Sequence, residues 1–557
     1  MMQSHKQHLI LGIEALALLA LAMFVRMADL DHAPIHDELQ HLMAAQSWAA
    51  DGEFSIAGGT YDRAALYTVL LASVHSAFDQ SVTAARMLSV VLGSVWVVLL
   101  FLWARHHISR SVAWTAALLF CFAPGAIFLS QYIRFYALHG VLFFTAAAAF
   151  YHIIERRPRG AALGGWGLLL LGSLGAAAHL QFTTLIGCVG LGAYAAYRMA
   201  PRVIGAASSL PNARRWMGIG ILGVLVLIAG SFVVGVPQKL WEIYRWAPLW
   251  SSGGGPLRYH WMMVEQYPVL WATVPIAAIV VFALRSLPGV FCVCLFGSAI
   301  LLHSFAGMKA ERFIYYVMPF FFVLSAILVT ELVPYLRQHL DSIATAVGTK
   351  GQSGQRLVRG AGLLAALALL VVSNPAMRAT ADQIRGQHDG RSGLSHWGRY
   401  TTDWPTARDV LAPVVADSEV VLTTQGLHLL FYFDRFDIEL SASRLSDLYA
   451  GSWDETKEFT VDPRTGHPVI SSAASFEKVR SCFATGTILI HDNAWRNRVY
   501  VPDSVADAIV ETSTKIDAVA PLGIRAFTWS SDGFSLPDSC QSIPALAQIV
   551  AASGPDR

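Results

Sequence analysis

The sequence predicts an α-helical polytopic membrane protein that ends in an α/β domain on the outer side of the membrane. Three observations predict it. Hydrophobic residues make up 55% of the 557 positions and charged residues only 14%, too few polar side chains to cover a soluble protein of this size. The apolar residues fall in blocks of about 20, the length at which a helix crosses a hydrocarbon core of roughly 30 Å. The loops between blocks alternate between basic and acidic character, as short loops on opposite sides of a membrane do. A formal charge of +2, with no basic tract interleaved with aromatics, gives nucleic acid no footing.

Taken in order, MMQSHKQHLILGIEALALLALAMFV has the outline of a signal sequence, but Glu14 interrupts it and no small-residue cleavage site precedes Asp29. It reads as an uncleaved first span. Spans are expected near 9–28, 83–104, 111–130, 133–154, 161–179, 181–197, 217–236, 268–284, 287–305, 313–333 and 359–374, about eleven in all. With the N-terminus inside, the inner loops hold Arg105 and Arg110; Arg156, Arg157 and Arg159; Arg198, Arg202, Arg214 and Arg215; Arg285; and Arg337, Lys350, Arg356 and Arg359. Residues 1–374 then form the membrane portion, with a long first outer loop at 29–82, and 375–557 form the outer domain. Within the loop, AALYTVLLASVHSAF (64–78) is too short to cross and reads as an interfacial amphipathic helix. The polar, Gly- and Ser-containing stretch QHLDSIATAVGTKGQSGQRLVRG reads as an inner connector. In the tail, helical segments such as TARDVLAPVV alternate with strand-like ones such as EVVLTT and TILIH, and no Gly-rich nucleotide loop appears. Cys121, Cys188, Cys292 and Cys294 sit inside apolar blocks as packing residues, whereas Cys482 and Cys540 lie in the tail and can pair as a disulfide in an oxidising compartment.

Chemistry is concentrated just outside the first span, in Asp31-His32-Ala33-Pro34-Ile35-His36-Asp37-Glu38-Leu39-Gln40-His41. Asp37 and His41, four apart, fall on one helix face. A carboxylate beside an imidazole is a general base or a metal ligand, or else the polar side of a capped amphipathic helix. The His-Glu-x-x-His protease pattern is broken, because Asp37 stands where the first histidine belongs. A second signal is arginine at outer span ends, against the positive-inside trend: Arg63, Arg86, Arg134 and Arg312, with Lys309 and Glu311 close by. Such arginines either grip an anionic headgroup, pair internally, or snorkel to the interface. The outer stretch LWEIYRWAPLWSSGGGPLRYHWMMVEQYP has the aromatic density of an interfacial belt, with Gly253-Gly254-Gly255 allowing it to flex.

In order and spacing, HDELQHLMAAQSWAADGEF, YDRAALYTVLLASVHSAF, AARMLSVVLGSVWVVLLFLWAR, QYIRFYALHGVLFF and ERFIYYVMPFF resemble the GT-C superfamily of membrane glycosyltransferases, nearest to its protein mannosyltransferase and aminoarabinose transferase families. The resemblance covers residues 1 to about 335. It implies an enzyme of the cytoplasmic (inner) membrane that takes a sugar from a polyprenyl-phosphate carrier and transfers it to a lipid, glycan or protein acceptor outside. By resemblance Asp37 is the catalytic base of an inverting displacement. Glu38 supports it or helps hold a divalent cation, which leaves metal dependence open. Arg134 and Arg312, with Arg63, Arg86 and Lys309, would bind the lipid phosphate. Tyr136 and Tyr315 would line the cleft, with His41, Tyr61, His139 and Glu311 in support. His139 stands where relatives often carry a second acid. Two further readings stand beside it: a transporter or flippase of lipid-linked glycans, which would also need outer arginines and an amphipathic first loop, and a non-catalytic glycan-binding or assembly protein that retains the fold. The tail matches no catalytic module.

Overall fold

The computed structural model describes residues 2–78, 81–207, 255–306, 309–346, 372–385, 402–449, 453–531 and 534–552, besides a few single positions. The expected spans at 217–236 and 359–374, Gly253-Gly254-Gly255 and much of the connector lie almost wholly outside the described residues. The chain forms two compact units: Met1–Leu30 with Arg86–His396, and Asp31–Ala85 with Trp397–Arg557.

The first unit is helical. Among the described residues six helices are long and apolar enough to cross a membrane: His5–Arg26, Val82–His107, Tyr136–Arg156, Ala161–Leu180, Leu287–Ser304 and the run Glu311–Leu340. There are up to eight if two bent pairs each count as one span: Arg110–Cys121 with Pro124–Ser130, bent by 63°, and Arg258–Gln266 with Pro268–Ala283, bent by 113°. The expected count of about eleven is therefore not reached among the described residues. Two of the missing spans lie outside them, and Thr184–Ala207 occupies the place of the sixth. The bends have a local cause. Pro124 and Pro268 each open the second helix of a pair, where proline lacks the N–H that would continue the first and pushes its predecessor out of the helical region.

The carboxylate that interrupts the first span is explained by packing. Glu14 is buried, and its Oε1 accepts from Arg110 Nε at 2.6 Å and Trp114 Nε1 at 3.3 Å. A charge at that depth is tolerated because it is paired. Close helix approach elsewhere depends on Gly140, where an added Cβ would lie 2.0 Å from the Trp96 ring.

The second unit is built on a seven-stranded mixed sheet in the order β5-β6-β4-β3-β7-β9-β8. Its parallel centre comprises β6 (Pro468–Ile470), β4 (Ile438–Leu440), β3 (Val420–Thr423) and β7 (Thr485–His491). Flanking this centre, β5 (Thr460–Val461) on one side and β9 (Ile524–Ser530) with the edge β8 (Thr514–Ile516) on the other pair antiparallel. All four residues of β3 are buried, as in a sheet covered on both faces. Val420, Leu422, Ile438, Leu440 and Ile488 form one core with Phe476, while Val421 and Leu489 form the other with Trp404, Leu411 and Leu429. Cys482 and Cys540 are joined as a disulfide in the first of these cores.

The first loop, Asp31–Ala85, clusters with the C-terminal sheet in the second unit. Two contacts account for this. The helix His36–Asp51 packs against both Ala65–Ala77 and Gly426–Phe433. The hairpin β1 (Ser55–Ile56) and β2 (Gly59–Thr60) is held by backbone bonds from Gly58 N to Thr465 O at 3.2 Å and Thr60 N to Pro463 O at 2.7 Å. At Gly59 a Cβ would sit 2.2 Å from the Arg464 carbonyl carbon, so only glycine allows the two backbones to meet. The Ala65–Ala77 segment, expected at the membrane interface, buries Tyr67, Leu71 and Ala72 within this unit. Gly59→Val is expected to open the clasp. Trypsin cleavage after Arg464 in the full-length protein should accelerate roughly tenfold; an unchanged rate would show that the hairpin is held by other contacts.

Candidate active site

The Asp-Glu pair opens the loop helix. Ile35 precedes it in an extended conformation, φ −91° and ψ 162°, and the Glu38 carboxylate reaches back to accept from Ile35 N at 3.0 Å. Half of a capping box is thus formed by a fully buried Glu38. Asp37, one residue earlier, is half-buried in the same first turn, where the positive end of the helix favours an anion. His41 is buried, with Nδ1 3.0 Å from Thr68 Oγ1 and its ring against the edges of Tyr61 and Tyr67, both at 5.2 Å. The Tyr61 hydroxyl donates to Gln40 Oε1 at 3.1 Å. Arg63 is exposed. Among the described residues no group of three or more His, Cys, Asp or Glu side chains is placed to hold a metal ion.

One carboxyl of this unit was not singled out from the sequence. Glu439 lies in β4 between Ile438 and Leu440, whose side chains enter the opposite core. Burial pushes its carboxyl up to about 7, and the nearby Asp462 carboxylate adds to this against the pull of Arg464 and Arg444. Asp462 is buried and takes both arginines, Arg444 Nε at 2.6 Å and Arg464 Nη2 at 3.2 Å. His428, on the neighbouring helix, is held down to about 3, chiefly by burial, and so stays neutral.

The arginine and tyrosine candidates of the first unit are mostly interior. Arg86 is fully buried, and its Nη1 donates to Leu30 O at 2.6 Å. Arg134 is buried with its guanidinium 5.6 Å from the Phe135 ring centre, and its backbone carbonyl accepts from Ser89 Oγ at 3.5 Å. Neither snorkels. Tyr136 is buried and lies parallel to Tyr132 at 6.5 Å. Tyr315 meets the Trp96 ring edge-on at 5.2 Å. Arg312 is partly buried over Phe313, Glu311 accepts from Gln266 Nε2 at 3.1 Å, and Lys309 Nζ donates to Ala306 O at 2.7 Å. His139, in the place of a second acid, is buried with Nε2 2.8 Å from Thr184 Oγ1.

Sequence reasoning overlooked Arg26. It is fully buried at the end of the first helix, donating from Nε to Ser130 Oγ at 3.2 Å and from Nη1 to Cys121 O at 3.3 Å. Gln131 Nε2 closes the same region, donating to Ala28 O at 2.6 Å and Arg26 O at 3.1 Å, and receives Gln383 Nε2 on its own Oε1 at 3.0 Å. The signal was available: Arg26 is a lone charge at the end of a long apolar block, where an arginine needs partners.

A multi-spanning helical unit and an α/β unit that includes the Asp37 loop give the chain the fold of the GT-C glycosyltransferases. No protein family and no curated protein sequence matches the chain. Among solved structures it is similar to ArnT from Cupriavidus metallidurans bound to undecaprenyl phosphate, at TM-score 0.54 and 14% identity over 95% of this chain and 99% of that one. The apo state of the same protein gives TM-score 0.55 and 14% identity over 96% and 100%. The apo oligosaccharyltransferase of Archaeoglobus fulgidus gives TM-score 0.53 and 12% identity over 86% and 70%.

Glu439 carries a pH prediction. Its folded value lies above its ordinary 4.5, so its protonated form contributes stability that is complete below about 4.5 and is lost as pH rises through about 7. His428 acts in the opposite sense, so the informative quantity is wild type minus variant. Between pH 4.5 and 8, Glu439→Gln should remove a pH-linked loss of on the order of 2 kcal/mol from the unfolding free energy of the full-length protein. Parallel wild-type and variant curves would contradict the assignment.

Proposed function

We propose that the protein is a glycosyltransferase that moves a sugar from a polyprenyl-phosphate-linked donor to an acceptor outside the cytoplasmic membrane, by inverting displacement with Asp37 as base. The observation that carries the reading is the division of labour in the carboxylate pair. Glu38 is fully buried and caps the helix, whereas Asp37 is only partly buried in the same turn.

In the proposed step the acceptor oxygen attacks the anomeric carbon as the bond from that carbon to the phosphate oxygen breaks. The acceptor proton passes to Asp37 and polyprenyl phosphate leaves as the anion. Arg134, with Arg86 and Arg312, supplies positive charge for that anion. An arginine kept in a low-dielectric interior stabilises a phosphate far more than one in water. That the solved ArnT structure holds undecaprenyl phosphate supports this donor class. Basic inner loops support an N-terminus in the cytoplasm, with loop 29–82 and the C-terminal unit outside.

Purified protein given a polyprenyl-phosphate sugar and an envelope extract tests the role of Asp37. Asp37→Asn should lower polyprenyl phosphate release by roughly 10²- to 10⁴-fold while detergent-solution stability and monodispersity stay at wild-type values. Release within about twofold of wild type would remove Asp37 from the mechanism.

A further inference from the structure

The helix Arg258–Gln266 turns 113° from Pro268–Ala283 and so does not prolong that span. Tyr259, Met263 and Gln266, at i, i+4 and i+7, form its buried face, while His260, Trp261 and Glu265 are exposed. It packs against Leu287–Ser304, where the Tyr259 ring lies 6.0 Å from that of His303.

Two polar groups on the buried face converge on a single turn. The Tyr259 hydroxyl donates to Ala310 O at 3.1 Å and accepts from Ala310 N at 3.1 Å. Two turns along the same face, Gln266 Nε2 donates to Glu311 Oε2 at 3.1 Å. Backbone closes on the same carboxylate from the helix Pro124–Ser130, since a Cβ on Gly125 would lie 2.8 Å from Glu311 Oε1. Ala310 is extended, φ −148° and ψ 148°, and its carbonyl also accepts from Phe313 N, so it starts the helical turn that carries Arg312. Arg312 lies within electrostatic reach of the Tyr259 phenol.

Packing alone does not call for these groups. Phenylalanine at 259 and leucine at 266 would fill similar space without burying a hydroxyl and an amide. What the polar pair adds is a fixed backbone at Ala310 and a fixed carboxylate at Glu311, and with them a fixed origin for the next side chain. We propose that Tyr259, together with Gln266, is a positioning residue for the transfer reaction, presetting Arg312 for the lipid phosphate and acting through that arginine rather than on the lipid. The phosphate role of Arg312 rests on the transferase reading above; the grip on its turn does not. A turn held before binding spares the cost of ordering it when the lipid arrives.

Native mass spectrometry of the full-length protein released from nanodiscs tests this, with undecaprenyl phosphate and undecaprenol of the same chain length as probes. Release of polyprenyl phosphate from a polyprenyl-phosphate sugar is measured on the same samples. Wild type should bind the phosphate roughly a hundredfold more tightly than the alcohol. Arg312→Ala should cut that preference roughly thirtyfold and Tyr259→Phe about fivefold, with affinity for the alcohol unchanged in both. Gln266→Leu, which removes the Glu311 bond instead, should cut it as well and serves if the Tyr259 variant fails to fold. In the Arg312→Ala background, Tyr259→Phe should change the preference by less than about twofold, because its effect passes through the arginine. The positioning role is overturned by a wild type without phosphate preference, by an unchanged preference in Tyr259→Phe and Gln266→Leu, by equal losses for phosphate and alcohol, or by a loss that persists without Arg312. Normal lipid release in any of those cases leaves the transferase reading standing. Phosphate preference that depends on Tyr259 through Arg312, in a wild type that releases no lipid from the donor, keeps the positioning of Arg312 and overturns the transferase reading.

Discussion

The loop that carries Asp37 is held by burial against the C-terminal sheet. The buried strands of a mixed sheet need cover on both faces, and part of that layer in the second unit comes from the first loop. The His36–Asp51 helix and the β1–β2 hairpin supply that layer, through side-chain packing on Gly426–Phe433 and backbone bonds to the turn before β6. Remove the sheet and the loop would expose Leu39, Leu42, Ala44 and Ala45, all now buried. The position of one carboxylate near the N-terminus thus depends on strands some 400 residues later in the chain, an order of separation visible in the numbering alone. This gives the C-terminal unit a reason to exist without assigning it chemistry.

In the helical unit the organising cost is charge. Arg26, Arg86 and Arg134 are all buried, and each needs partners in a medium where an unpaired guanidinium is strongly unfavourable. Arg26 draws a serine hydroxyl and a main-chain carbonyl from two other helices, and Arg86 draws the carbonyl of Leu30. Retaining several such groups is hard to justify by stability alone, because apolar residues of similar volume would serve the packing. In the proposed transferase reading, a phosphate-bearing lipid substrate would give them that purpose.

Much of this was legible in the sequence, and the failures have physical reasons. Block length placed the helices, and alternating segments announced the α/β unit, because both signals are periodic and local. The prolines at 124 and 268 were visible too, but apolarity concealed that they break a span rather than kink it. Asp37 and Glu38 stood out as a pair, yet only the cap geometry distinguishes them, since it depends on the backbone of Ile35. Arg26 hid at the end of an apolar block. Glu439 was illegible: in IEL a glutamate between aliphatics looks like the solvent side of an edge strand, and only its pairing with β3 and β6 puts it under the loop.

The central claim is that the chain catalyses sugar transfer rather than moving or assembling a lipid-linked glycan. The most direct measurement is mass spectrometry of reconstituted wild-type protein incubated with a polyprenyl-phosphate sugar and envelope extract from cells that lack the protein. The account predicts free polyprenyl phosphate accumulating in step with a newly glycosylated envelope component. Intact donor recovered in full, whether or not it has crossed the bilayer, would contradict it.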